Sequence, residues 1–180
     1  MSTLWIKTCV LTTATIIYLL AASSGYAQKR GPFAKFGGSW NGNGEIILAN
    51  NTKEVIRCRG NFVATDAGIV SNLRLELKCA NAGGSRFELL CDLNNSSGTV
   101  TGTWTEITRG LNGSVSGTMS EDKISAVAEG QTFTARLQII SYGDKQHIVI
   151  SSPGSEISQV LIGLLRVGSK PPQQQSPQTQ

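Results

Sequence analysis

The sequence predicts an all-β fold: a single antiparallel up-and-down β-barrel of about ten strands, with a β-sandwich as the alternative. Short segments of alternating apolar and polar residues are separated by clusters of turn-forming residues at regular intervals. These clusters lie at residues 50–52, 66–68, 81–84, 94–98, 109–110, 121–122, 129–130, 142–144 and 151–155. Nine turns between consecutive segments imply ten strands.

The alternation is clearest in the middle of the chain. Leu73, Leu75 and Leu77 alternate with Arg74 and Glu76, which is the period of a sheet with one buried face and one wet face. Residues 133–139 repeat this pattern. We therefore expect strands whose apolar rows share one interior.

The last segment, residues 157–167, differs because it is apolar on both sides. We expect a strand that is covered on both faces, with a short helix as the less favoured alternative. Residues 98–104 are echoed by residues 113–119, on what should be consecutive strands. Their glycines are expected on the inner row, where they leave room for coiling and for the large side chain of Trp104.

The two ends of the chain differ from this domain. Residues 1–27 contain a basic start, an apolar run and small residues, which is typical of a secretory signal peptide rather than of a retained membrane anchor. We assign residues 28–35 to a flexible lead-in, 36–167 to the barrel domain and 168–180 to a disordered Pro/Gln-rich tail. The processed protein is thus expected to be exported, periplasmic or extracellular, with no stable membrane span.

The charge pattern argues against nucleic acid as a partner. Removing residues 1–27 takes one lysine from the 16 basic residues and nothing from the 12 acids, which leaves a net charge of +3. The basic residues are scattered along the alternating segments with acids among them, so we interpret them as a solvated surface. A nucleic-acid site calls for clustered cations and stacking aromatic side chains.

The cysteines predict one disulfide. Cys58, Cys79 and Cys91 remain after signal removal, and an exported protein meets oxidising conditions. A hairpin centred near residue 68 places Cys58 opposite Cys79, whereas the next hairpin places Cys79 opposite Phe87 and Cys91 near Leu75. We therefore predict a Cys58–Cys79 bridge and a buried, apolar Cys91 thiol.

Few residues suggest reaction chemistry. His147 is the single histidine, and the spacing of a metal site is absent, so we predict no metal ligands, no cofactor and no catalytic residues. Glu106 is the least ordinary carboxylate, because it shares a face with Trp104. It either points into the barrel or lies wet at a strand end, and the wet alternative is the simpler one. In the inward case Trp104, Glu106 and Trp40 would line a small ligand pocket.

The start of the first strand resembles a known group of barrels. Gly38-Ser39-Trp40 is similar to the Gly-x-Trp opening of the calycins, which include the lipocalins, and residues 38–44 resemble the longer Gly-x-Trp-x-Gly-x-Gly opening of nitrobindin-like barrels. Arg57-Cys58-Arg59 and Lys78-Cys79 also resemble segments of small exported bacterial proteins. The resemblance implies a closed barrel for a small ligand, with Trp40 packed across one end. Haem binding is not expected, because the last strand contains no histidine.

Three functions are considered. The leading hypothesis is an exported, non-enzymatic barrel that binds a small hydrophobic or amphipathic ligand in its interior. The alternative is an envelope or extracellular interaction module or inhibitor with a filled core, and a hydrolytic enzyme comes third. The interior is predicted to be lined by Ile46, Leu48, Phe62, Leu75, Phe87, Val100, Trp104, Leu137 and Ile139.

Overall fold

A computed structural model describes residues 31–68 and 70–169 of the 180-residue chain. Ten antiparallel strands follow one another around a ring, and β1 pairs with β10 to close it. The closed up-and-down barrel predicted from the alternation is confirmed, and each predicted turn cluster lies at a junction between strands. The strands are β1 (Gly38–Leu48), β2 (Lys53–Asp66), β3 (Ser71–Asn81), β4 (Arg86–Ser96), β5 (Thr99–Glu106), β6 (Leu111–Met119), β7 (Lys123–Gly130), β8 (Thr134–Tyr142), β9 (Lys145–Ser151) and β10 (Ile157–Arg166).

The core lies inside the ring, because one apolar row of each strand points inward. Along β3, for example, Leu73, Leu75 and Leu77 are buried. Strand β10 alternates as well, and this corrects one expectation. The described residues do not cover the outer face of this strand, since Leu165 on that face is 40% exposed. The extra apolar residues of this segment thus lie partly in solvent.

The two ends of the barrel are built differently. At one end, which we name the closed end, a 3-10 helix (Pro32–Lys35) precedes β1. Phe33 and Phe36 are fully buried there and meet edge to face with ring centroids 6.4 Å apart. The expected flexible lead-in at residues 28–35 is therefore wrong for residues 32–35, because two aromatic side chains give this short segment enough apolar surface to plug the barrel. Residues 28–30 lie outside the described part, as does the segment assigned to the signal peptide.

Polar contacts hold the plug in place. The Nε2 group of Gln146 and the indole Nε1 of Trp40 both donate to the carbonyl oxygen of Phe36, at 2.9 and 3.2 Å. The guanidinium of Arg166 donates to the Gly37 carbonyl at 2.6 Å and lies 4.2 Å from the centre of the Trp40 ring. Trp40 is 1% exposed, so it closes this end by packing, as the resemblance implied.

Strand register explains the disulfide. Cys58 is directly opposite Cys79, and the two sulfur atoms are bonded. Cys79 in turn faces Phe87 across β3 and β4, and Cys91 faces Leu75. The predicted disulfide and the predicted registers of both hairpins are confirmed, because the Gly and Asn positions mark the two turns.

Within the described residues, no helix is long and apolar enough to span a membrane.

Candidate functional site

A cavity of about 250 Å³ opens at the barrel end opposite the plug, which we name the open end. Seven strands and three turns contribute to its wall, and the wall is mostly apolar. The lining residues are Phe87, Leu89, Cys91, Trp104, Glu106, Arg109, Leu111, Val115, Ala128, Phe133, Ala135, Leu137, Ile150, Ser152, Ser155, Glu156, Ile157 and Val160. We name this space the apolar cavity.

Small residues on the inner rows of neighbouring strands explain why the interior is not filled here. Gly113 and Ala128 face inward on β6 and β7, and Ala135 follows on β8. Gly113 lies directly opposite Trp104, and a Cβ atom at this position would come within 2.7 Å of the indole Nε1. The predicted role of the inner-row glycines is therefore seen at Gly113, which makes space for the indole.

Trp104 forms one wall of the apolar cavity. It is 5% exposed, its ring centroid is 5.4 Å from that of Phe133, and its Nε1 donates to the carbonyl of Glu129 at 3.3 Å. The hydrogen bond fixes the indole plane, so that one face of the ring borders the empty volume. Such a rigid aromatic wall suits an apolar ligand.

Glu106 lies next to Trp104 on the cavity wall, where β5 ends. Its side chain is buried, so the simpler sequence alternative of a wet carboxylate is wrong and the inward alternative applies. The backbone N–H groups of Glu88, Thr108 and Arg109 donate to its carboxylate at 3.1, 3.1 and 2.8 Å, and the Thr108 hydroxyl donates as well. The carboxylate therefore organises the turn between β5 and β6.

The hydrogen bonds decide the ionisation of Glu106. Burial alone would raise the pKa of this carboxyl, but the donors from Thr108, Glu88 and Arg109 together lower the pKa below its ordinary value of 4.5. The guanidinium of Arg109 lies 3.7 Å from the carboxylate. Glu106 is thus a charged acceptor whose lone pairs are occupied, which makes it a poor general acid or base.

Cys91 borders the apolar cavity from β4 and is the one free cysteine among the described residues. Burial raises the pKa of its thiol to about 12. A neutral thiol is a weak nucleophile, so the group contributes apolar wall, as the sequence predicted.

A second, more polar cavity of about 220 Å³ adjoins the first at the open end. It shares Phe87, Arg109, Glu156, Ile157 and Val160 with the apolar cavity. Its own lining includes polar side chains, among them Glu54, Asn81, Ser85 and Arg86. The open end thus offers an apolar space beside a space lined with hydrogen-bonding groups.

The other predicted residues are placed as follows. The structure brings Trp104 and Glu106 together at the apolar cavity, but it separates Trp40 from them at the closed end. His147 is exposed on the outer surface, with its ring 6.0 Å from that of Tyr142. In residues 31–68 and 70–169, no group of three His, Cys, Asp or Glu side chains is placed to hold a metal ion.

Sequence reasoning missed the turn residues of the site. Arg109 and Glu156 lie in turns, where the strand alternation says nothing about direction. Phe133 precedes the first residue of β8 and continues its inward row, as the alternation of residues 133–139 predicted. The small side chains of Ala128 and Ala135 on the inward rows were the feature of the sequence that indicated an unfilled interior at this end.

The fold is similar to two solved structures. An S-type phycobiliprotein lyase from Guillardia theta matches with a TM-score of 0.56 and 14% identity, over 77% of this chain and 92% of that chain. Rv2717c from M. tuberculosis matches with a TM-score of 0.58 and 14% identity, over 76% of this chain and 98% of that chain. No protein-family model matches the sequence, and no curated protein does. At this identity the likeness shows a shared β-barrel fold and nothing finer.

Proposed function

We propose that this protein is an exported, non-enzymatic barrel that binds a small, mainly apolar ligand at its open end. The observation that carries the proposal is the contrast between an interior sealed by aromatic residues at one end and an apolar cavity at the other. The site residues are Trp104 as a rigid wall and Glu106 as the anchor of the turn that carries Arg109. The disulfide supports an oxidising compartment.

The dimensions indicate the ligand class. A cavity of about 150 Å³ is known to hold benzene, so about 250 Å³ accommodates a body of roughly ten non-hydrogen atoms. The adjoining polar cavity offers hydrogen-bond partners for a head group. An amphipathic molecule with a compact apolar body is therefore the best fit.

The protonation and pairing of three candidate groups support a non-enzymatic role. The Cys91 thiol is neutral, the Glu106 carboxylate is engaged by turn donors, and the described histidine is on the outside. None of these groups is available as a nucleophile or as a proton carrier inside the cavity.

The proposal is tested with the fluorescence of Trp104. Cyclohexanol, decanol and decanoate, none of which fluoresces, are titrated into the protein, and a saturable change in emission is expected in the wild type and in Trp40→Phe but not in Trp104→Phe. Filling the cavity with Ala128→Phe is expected to weaken binding at least about tenfold. The matched control Ala80→Phe, on the outer face of β3, should bind as the wild type does.

Native mass spectrometry of protein purified from its own host provides the second readout. A co-purifying small molecule that is absent from Ala128→Phe supports the proposal. Equal binding of all probes by Ala128→Phe and by the wild type would contradict it.

A further inference from the structure

Four basic side chains lie together on the outer surface of β2, β3 and β4. We name this group, Arg57, Arg59, Lys78 and Arg86, the basic face. Arg59 pairs directly with Lys78, while Arg57 and Arg86 both pair with Ala80 from either side. Because neighbouring strands are about 4.8 Å apart and residues along a strand about 3.4 Å apart, the four side chains start within about 12 Å of one another. The scattered distribution expected from the sequence is therefore wrong here, since the register gathers residues that are far apart in the chain.

Two acids, both beside Lys78, offset part of this positive charge. Lys78 contacts Glu76 and Glu88 at 2.7 and 3.0 Å. The three arginines form no ion pair with any described residue, in contrast to Arg109 and Lys53 elsewhere on the barrel. The guanidinium groups are therefore available to an anionic partner.

The basic face borders a groove of about 980 Å³. The groove is also lined by Asn41 and Asn43 on β1, by the carboxylate-bearing Glu88 on β4, by Thr108 after β5, and by residues 165–169 at and after the end of β10. From β10 to β4 it crosses four strand spacings, which is about 19 Å. This length fits an elongated chain with several charges better than a single small ion.

The rest of the polypeptide does not supply the missing negative charge. All 12 acidic residues of the sequence lie between residues 45 and 156, and residues 1–30 and 170–180 contain only basic charges. Neither terminal segment is complementary to the basic face.

We propose that the basic face binds an anionic glycan, a polysaccharide chain that bears carboxylate or sulfate groups. Arginine binds such oxyanions with two parallel hydrogen bonds, and the amides of Asn41 and Asn43 lie beside the arginines for sugar hydroxyls. An acidic peptide fits less well, because the closed barrel has no free strand edge to pair with its backbone. Nucleic acid fits less well, because the outward residues of β1 to β4 include no aromatic side chain for base stacking.

The test compares two triple variants of equal charge. Arg57→Gln, Arg59→Gln and Arg86→Gln are combined in one protein, and Lys123→Gln, Arg136→Gln and Lys145→Gln are combined in the control, which alters β7 to β9. A sulfated, uronate-containing octasaccharide is titrated calorimetrically into each at low and at physiological salt. The first variant should bind at least about tenfold more weakly than the wild type, and the control within about twofold.

Three results decide the proposal. A selective loss in the first variant, with an unchanged unfolding midpoint, supports it. Equal weakening in both variants would overturn it, because binding would then follow net charge alone. Stronger binding of a single-stranded oligonucleotide or of anionic lipid vesicles through the same arginines would overturn the glycan assignment. None of these three results bears on the proposed ligand site at the open end, which the Trp104 fluorescence titration tests separately.

Discussion

The two ends of the barrel place a tryptophan in nearly the same local setting and use it differently. Trp40 at the closed end and Trp104 at the open end both lie on an inner row, and both donate Nε1 to a backbone carbonyl, at 3.2 and 3.3 Å. Over Trp40 the chain adds Phe36 and Arg166. Beside Trp104 the inner rows carry glycine and alanine, so one indole seals the interior and the other borders an empty space.

The two ends should differ most in the stability that is lost when each indole is removed. Trp40→Ala should lower the free energy of unfolding by about 3–5 kcal/mol, because the plug, Phe62 and Arg166 all lose their packing partner. Trp104→Ala should cost about 2 kcal/mol, since it enlarges a space that is already open and whose turns can collapse. Chemical denaturation of both variants measures the difference, and equal losses would show that the two ends are packed alike.

The disulfide sharpens the comparison, because it stabilises the fold as a whole without packing either end of the barrel. Cys58 and Cys79 are 21 residues apart in sequence, and a cross-link of this length contributes about 3 kcal/mol by restricting the unfolded chain. Replacing both with serine should lower the free energy of unfolding by about that amount. A reducing agent should lower the free energy of unfolding of the wild type but not of this variant. The Cys91→Ser protein keeps the disulfide, so its free energy of unfolding should fall on reduction as that of the wild type does.

The smallest expected effect on stability is that of replacing Glu106, and it is specific to the buried carboxylate. Glu106→Gln should cost about 1–3 kcal/mol at neutral pH, because the amide group brings a donor to a place where four donors already point. The exposed Glu129→Gln should cost little.

The pH dependence of stability follows from the lowered pKa of Glu106. A carboxyl whose pKa in the folded state lies below 4.5 contributes stability that is present above pH 4.5 and is lost as the pH falls through the folded-state pKa. The gap between wild type and Glu106→Gln should therefore narrow on acidification below pH 4.5. A gap that stays constant with pH would mean that the charge of Glu106 is not what holds the turn.

The sequence predicted the ring and the disulfide because both depend on period and turn position. The alternation of Leu73 to Leu77 fixed which side faces inward, and the turn near residue 68 fixed the partner of Cys58. The plug was missed because four residues are too few for a helical period, and because the backbone after it is held at Phe36 and Gly37 by Gln146 and Arg166, more than a hundred residues away.

The sequence could predict part of the cavity wall but not the empty space itself. Trp104 and Glu106 share a row, so their proximity followed from the strand alternation, whereas the empty space depends on how the small residues of β6, β7 and β8 meet across the interior. The direction of Arg109 depends on the turn that Glu106 organises. The clustering of Arg57 with Arg86 required the register of two hairpins at once, which a linear charge pattern does not display.

The pairing of β1 with β10 also determines when the barrel can close during folding. Trp40 is matched to Arg166 and Ile46 to Val160, so the first strand to leave the ribosome waits for the last. Contacts of such large sequence separation form slowly, and until they form the chain has two unpaired strand borders instead of none. A chaperone that shields these borders would act on this one pair of strands.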